Sequence, residues 1–570
     1  MKKIKYLIYL IVLLQLSVSC EKEILDKKPL DIISDAQVWN DPALIQAYVT
    51  NLYNRAQMEG IFRGWYWGSP YFGSPVDELI YSDESRLAWD WGPKDWQKGI
   101  VNGGNNSMAY WDYNYIRACN EFLILIEGGS VSDEIKKQTK AEVRFLRAYA
   151  YFEMAKRYGG VPLVITPQKQ SDGEALFVPR NTEQEVYDFI GNECDAIKVD
   201  LLEAQPADKT GRATRYAALA LKSRAMLYAA SIAKYSSVQI NGIVGIPADK
   251  AATYFQKSYD ASKEIIASGK FQLFNKYADK VKNYQMLFIE KNHQEVILAK
   301  KYVSVTQGHS IDFYCVPESY KTDWGNMVNA TVELVNSFEM VDGSSGVFDF
   351  ATITGDVKTI FKKKDPRFHA AIFYNGQPWQ GDTVRMVWGT RTGGVVTEAP
   401  GKDAKGGDVK TGFTMKKFLD ENRKRPKEGE SDQDWLVFRY GEILLNYAEA
   451  AFELSKTNDA KWGVNQIRER AGILPLETVT LQNVRHERQI ELVFETHRFW
   501  DLRRWRTSQQ ILTGSFHSAF AYFDTDLKTY YFRVANADGF DRIFKPQHYY
   551  MPITESRINN NPKLVENPGY

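Results

Sequence analysis

Apolar residues recur at helical spacing through most of the chain, and the polar residues between them mark where each helix starts and stops. Asp35 can cap a helix from about Ala36 to Met58, with Val38, Leu44, Ile45, Tyr48, Leu52 and Tyr53 as its apolar stripe. A second helical pattern carries Trp111, Ile116, Cys119 and Leu123. A third runs from Lys140 to Tyr158, where Gly159, Gly160 and Pro162 stop it. Further helices are expected at 183–203, 214–234, 252–268, 435–454 and 460–471. Alanines at 217, 218, 220, 225, 229 and 230 allow helices to approach closely. The stretch from Arg485 to Trp505 reads as one amphipathic helix. Ile490, Leu492, Val493, Phe494, Phe499 and Leu502 form its apolar side, with Glu487, Arg488, Glu491, Glu495, Arg498, Asp501 and Arg503 between them. Charges so spaced predict a solvated face or a salt network between helices, not catalysis.

The predicted class is mainly α, a tetratricopeptide-like scaffold of paired helices, although no strict period of about 34 residues can be laid along the chain. Long insertions near 60–106, 270–330 and 340–433 interrupt the pairs. They are richer in Gly, Pro, Asn and aromatic residues and carry short strand-like pieces such as Glu295–Lys300. Long loops on a rigid frame are where binding residues are usually carried. No linker divides the chain, so residues 35–570 are expected to form a single domain.

The amino terminus adds a location. Lys2, Lys3 and Lys5 precede an apolar run from Tyr6 to Leu16, then Ser17-Val-Ser19-Cys20. That order predicts a secretory signal peptide over 1–19, because the run is too short for a membrane-spanning helix of about 20 residues. The small residue before Cys20 suggests lipoprotein processing, with Cys20 acylated and residues 20–34 as a tether. Each buried acyl methylene contributes about 0.8 kcal/mol, so two or three chains anchor a protein almost permanently.

Charge excludes more than it proposes. With 72 basic and 71 acidic residues the net charge is +1, which gives no electrostatic case for a nucleic-acid partner. Besides Cys20 there are Cys119, Cys194 and Cys315, which allow at most one disulfide; Cys119 and Cys194 sit in helical patterns and read as core residues. No metal-binding spacing of Cys or His is present, so no cofactor is expected, and a structural calcium ion is left open.

Aromatic residues make up 14% of the chain, and five of the fourteen tryptophans fall in one short stretch: Trp65, Trp67, Trp89, Trp91 and Trp96. Sugar rings present a C–H face that stacks on indole and edge hydroxyls that need fixed donors and acceptors. Asp77, Glu78, Asp83, Arg86, Asn105 and Asn106 lie close by in sequence. Alternation puts Trp65 with Trp67, and Trp89 with Trp91, on one side of an extended segment. The competing reading is that these rings pack the loops or meet a partner protein.

Several motifs together resemble the SusD/RagB family of outer-membrane lipoproteins. They are Arg485-His-Glu-Arg-Gln-Ile-Glu-Leu-Val-Phe-Glu-Thr-His-Arg-Phe-Trp-Asp-Leu-Arg-Arg-Trp505 and the ending Asn561-Pro-Lys-Leu-Val-Glu-Asn-Pro-Gly-Tyr570. Asp365-Pro-Arg-Phe368, Phe438-Arg-Tyr-Gly-Glu442 and the segment from Ala141 to Leu163 also match in order. The resemblance implies a nutrient-binding lipoprotein on the outer face of the outer membrane, partnered by a SusC-like TonB-dependent transporter. It implies a glycan site built from the first insertion and aromatics of the later one, here Tyr302, Tyr314, Tyr320 and Trp324. Peptide or another nutrient is the alternative cargo. Arg439 and Glu442 are expected to form a buried pair of structural purpose. Carboxylate pairs such as Asp77–Glu78 or Asp432–Asp434 could be offered for glycoside hydrolysis, but nothing marks one as special, and no enzyme activity is expected.

Overall fold

The computed structural model describes residues 38–58, 60–62, 77–90 and 94–570. Cys20, Trp65, Trp67 and Trp91, the signal peptide, the tether and the Asp35 cap lie outside the described residues.

Helices dominate, as the apolar spacing predicts. The longer ones are α1 (Pro42–Arg55), α2 (Tyr113–Leu125), α3 (Asp133–Tyr158), α4 (Glu183–Ile197), α5 (Arg215–Tyr235) and α6 (Ala251–Ala267). After the insertions come α7 (Tyr440–Glu453), α8 (Thr457–Ala471), α9 (Leu481–Glu491) and α10 (His497–Arg504). Sequence neighbours pack as pairs, α2 on α3, α3 on α4, α4 on α5 and α5 on α6, and α6 then meets α7. Their starts are set by side chains. Asp41 caps α1, and Thr182 and Glu185 form a capping box on α4. Helix α5 is buried on nearly every side, from Tyr216 to Ala233, and its alanines are what let α4, α6 and α7 close around it. Cys119, Cys194 and Cys315 are free and buried, Cys119 and Cys194 in helices of this core. Among the described residues no helix is long and apolar enough to cross a membrane.

The charged face of 485–505 is not solvated, and the segment is not one helix. Helix α9 ends at Glu491, and Phe494 and Thr496 take left-handed backbone angles (φ 60° and 65°) before α10 starts. The break lets Glu491 and Glu495 converge on one guanidinium. Arg439, 1% exposed, donates to Glu495 at 2.7 Å and to Glu295 and Glu491 at 2.8 Å. Arg367 bridges Asp365, Glu487 and Glu491, while Arg470 reaches Glu491 and Lys417 reaches Glu495. Burial alone would raise the Glu491 carboxyl, but Arg470, Arg439 and Arg367 outweigh it and hold it well below the ordinary range.

Two further expectations are corrected here. Residues 435–454 are not helical throughout: β9 (Trp435–Arg439) pairs with β2 (Val296–Lys300) before α7 begins at Tyr440. Arg439 and Glu442 do not pair, because the turn from strand to helix separates them; Glu442 holds Arg224 at 2.6 Å instead. Gly441 permits that turn, since a Cβ there would lie 2.2 Å from the Arg439 guanidinium.

Two larger sheets are present, the first built from the insertions and the second from the 340–433 insertion and a hairpin near the carboxyl end, and in each the order in space ignores the order in sequence. The first pairs β1 (Ser85–Leu87) with β3 (Val328–Ala330), then β8 (Thr414–Met415) and β5 (Ile372–Phe373). The second has five strands in the order β4 (Thr354–Gly355), β11 (Thr529–Asn536), β10 (His517–Asp524), β6 (Val387–Thr392) and β7 (Val395–Glu398), with β6 and β10 parallel. The β10–β11 hairpin follows the last long helix, in a stretch for which no element is expected above.

Two stability measurements follow. Arg439→Ala leaves four carboxylate contacts without their cation and is expected to cost about 3–5 kcal/mol in denaturant unfolding; an unchanged midpoint would contradict the network's role. Glu84 is pushed up to about 8 by burial and by neighbouring Asp83, so the folded state keeps its proton where the unfolded state loses it. Stability from this group is therefore full below about pH 4.5 and lost as pH rises toward 8. Glu84→Gln should stabilise the protein more at pH 8 than at pH 5, and a pH-independent difference would refute the assignment.

Candidate functional site

The register of the first sheet creates the site. Antiparallel pairing sets Leu87 opposite Val328, and the Ala88 N–H donates to the Met327 carbonyl at 2.8 Å. Trp89, two residues beyond the end of that ladder, is thereby brought against the segment that leads into β3. The ring of Trp324 lies 4.9 Å from that of Trp89, edge to face at 77°. Tyr314 completes the group. Its helix (Ile311–Cys315) is tied to the same segment by the Met327 N–H on the Tyr314 carbonyl, and its ring lies 6.3 Å from Trp89 and 6.4 Å from Trp324. Both indoles are half-buried and pack against the core, while Tyr314 is buried.

Polar groups flank the rings. The Tyr314 hydroxyl donates to exposed Glu428 at 3.2 Å. Asp90, next to Trp89, receives Arg86 at 2.7 Å, Lys410 at 3.2 Å and Lys94 at 3.3 Å, and its side chain is still 61% exposed. The hydrogen bond from Arg86 does most to hold the Asp90 carboxyl well below the usual range, with Lys410 adding to it against a smaller desolvation effect. Asp90 is thus an ionised acceptor at any physiological pH, fixed in place and open to solvent.

The other residues singled out in the sequence have different surroundings. Arg86 is 4% exposed and serves the framework, donating to the carbonyls of Leu87 and Ala537 as well as to Asp90. Asp77 is 2% exposed and lines a cavity of about 90 Å³ with Glu78, Lys156, Arg157 and His497. Asn105 shapes its own turn, accepting from the Asn102 N–H and donating to the Ile100 carbonyl. Trp96 is a core residue against Phe499 and His548. Tyr302 packs on Phe62 and His309, and Tyr320 gives its hydroxyl to the Trp379 carbonyl. Three of the candidate acids are engaged as well: Asp434 with Lys301, Asp432 with Arg423 and Lys291, Glu78 with Arg157. Among the described residues no cluster of three His, Cys, Asp or Glu is placed to hold a metal ion.

Sequence reasoning missed Asp90, Glu428 and Lys410. The last two come from the 340–433 insertion, and nothing local in the sequence signals that they meet Tyr314 and Asp90.

The whole chain can be set beside known proteins at this point. The SusD family profile matches residues 294–570, and a second profile, described as "Starch-binding associating with outer membrane", matches residues 23–227. The chain belongs to the SusD family. A SusD-like protein of Bacteroides ovatus is 25% identical over 581 residues, covering 96% of this chain and 95% of the relative. The starch-binding protein SusD of Bacteroides thetaiotaomicron is 24% identical over 487 residues, covering 79% and 76%. A crystal structure of a SusD-like protein from Bacteroides fragilis superposes with a TM-score of 0.76 at 26% identity, over 95% of this chain and all of that one. The tetratricopeptide-like helical frame with inserted sheets is thus the SusD fold.

Proposed function

We propose that this SusD-like protein is a surface glycan receptor that captures an oligosaccharide or polysaccharide without chemical change. The observation that carries the reading is the pair of half-buried indoles, Trp89 and Trp324, held edge to face at 4.9 Å beside the ionised carboxylate of Asp90. Two rings at a steep angle offer faces to successive sugars of a bent chain, and Asp90 and Glu428 accept from hydroxyls at the ring edges. Each stacked sugar contributes about 1 kcal/mol beyond its buried area, so affinity is modest and the ligand can be released onward. A similar protein named for starch binding supports the carbohydrate class. Engagement of Glu78, Asp432 and Asp434 in salt bridges supports capture over hydrolysis. In this reading acylated Cys20 holds the protein on the outer face of the outer membrane, and a SusC-like TonB-dependent barrel receives the glycan. Both expectations come from the SusD family and from the amino-terminal sequence.

The test is migration of the purified chain through native gels containing starch, laminarin, xylan or mannan. One polysaccharide should retard it, and Trp89→Ala or Trp324→Ala should weaken binding about fivefold to tenfold each with the fold intact by circular dichroism. Retardation that survives both substitutions would move the site elsewhere. Binding to peptides with no polysaccharide retained would refute the glycan reading.

A further inference from the structure

The five-stranded sheet carries a second pair of half-buried rings that the site above does not use. Trp388 on β6 and Phe520 on β10 lie 4.6 Å apart at 51°. One rung along, Tyr522 and Tyr531 stack at 5.6 Å, and the Tyr522 hydroxyl donates to Glu398. Arg533, opposite Phe520 in the hairpin, reaches the same carboxylate at 3.1 Å; the Arg533 and Glu398 side chains are 54% and 58% exposed. Apolar ring faces beside a solvent-facing, mutually fixed donor and acceptor repeat the chemistry found around Trp89.

One segment joins the two places. Residues 399–412 leave the sheet at Trp388, where the Ala399 N–H donates to the Trp388 carbonyl at 3.0 Å. Asp403 then accepts from the Ser319 N–H at 2.9 Å, five residues before Trp324, and Lys410 pairs with Asp90 beside Trp89. The segment returns to the sheet next to Phe520, with the Ala519 N–H on the Thr411 carbonyl at 2.9 Å. Gly412 is needed there: its φ is 86°, and a Cβ would lie 2.1 Å from the Ala519 carbonyl oxygen. The segment thus meets the sheet backbone at Trp388 and Ala519, and at its other side meets Ser319 and the Asp90 carboxylate that neighbours Trp89, and it carries exposed Lys405 along its way.

We infer that one extended glycan chain spans from Trp89–Trp324 along residues 399–412 to Trp388–Phe520, so that the preferred ligand is a polysaccharide and not a short oligosaccharide. This inference rests on Trp89–Trp324 being a glycan site. A chain held at one pair meets the other at high effective concentration, so the second contact strengthens binding of long ligands only.

The test is calorimetric titration of the full chain in detergent with the polysaccharide that retards it and with the trisaccharide cut from that polymer. Trp388→Ala should weaken the polymer about fivefold and leave the trisaccharide unchanged, whereas Trp89→Ala weakens both. Arg533→Ala, at an exposed position, should repeat the selective loss without disturbing the sheet. Polymer affinity unchanged in both sheet variants would overturn the spanning chain while leaving the Trp89 site standing. Equal losses for polymer and trisaccharide in the sheet variants would overturn it too, as a general effect on the fold. No loss for either ligand in Trp89→Ala would instead remove the site on which the inference rests.

Discussion

The structure depends on a buried ionic network centred on Arg439, Arg367, Glu491 and Glu495. These groups are almost wholly removed from water, at a desolvation cost of several kcal/mol per ion that only close, many-sided pairing offsets. That requirement fixes geometry. Arg439 ends β9, Glu295 precedes β2, and Glu491 and Glu495 flank the break between α9 and α10. Arg367 and Lys417 bring in two points of the 340–433 insertion. The network therefore registers the last helices, the two-stranded sheet and the inserted segments against one another. Apolar packing alone would tolerate small slips among these parts.

From that frame the site follows by strand register. The ladder between β1 and β3 joins segments more than two hundred residues apart and decides which aromatics meet. Asp90 is then gripped by Arg86 from its own segment and by Lys410 from another, so a carboxylate on an exposed loop has a fixed position. Preorganised acceptors of this kind lower the ordering cost of binding, which matters when the ligand is polar and its contacts are individually weak. The carbohydrate role proposed for the chain thus draws on the same long-range pairing that builds the fold.

The helical frame was legible because its signals are local. Apolar spacing and the Gly159-Gly160 stop place the end of α3, the start of α4 and both ends of α5 closely, although α3 starts earlier than expected, at Asp133, and α4 stops earlier, at Ile197. Two failures are long-range. Residues 485–505 and 435–454 have helical spacing, yet demands from Arg439 and from β2 break each into two elements. One failure is local: the β10–β11 hairpin, with aromatic-rich strands on either side of the turn at 525–528, went unread, and only its pairing with β6 and β4 is long-range. At the candidate site, Trp89, Tyr314 and Trp324, singled out from two insertions, do converge. Asp77 and Arg86 were chosen by proximity in sequence, and they prove to be buried framework residues. Sequence distance carries no information on which carboxylate reaches a ring.

The proposed receptor would recognise its ligand by shape and stacking, without chemical change. The claim is most directly tested by determining the structure of the protein with its retained glycan bound. Sugar rings stacked on Trp89 and Trp324, with hydroxyls on Asp90 or Glu428, are the predicted result. Glycan bound elsewhere, with both indoles untouched, would contradict it.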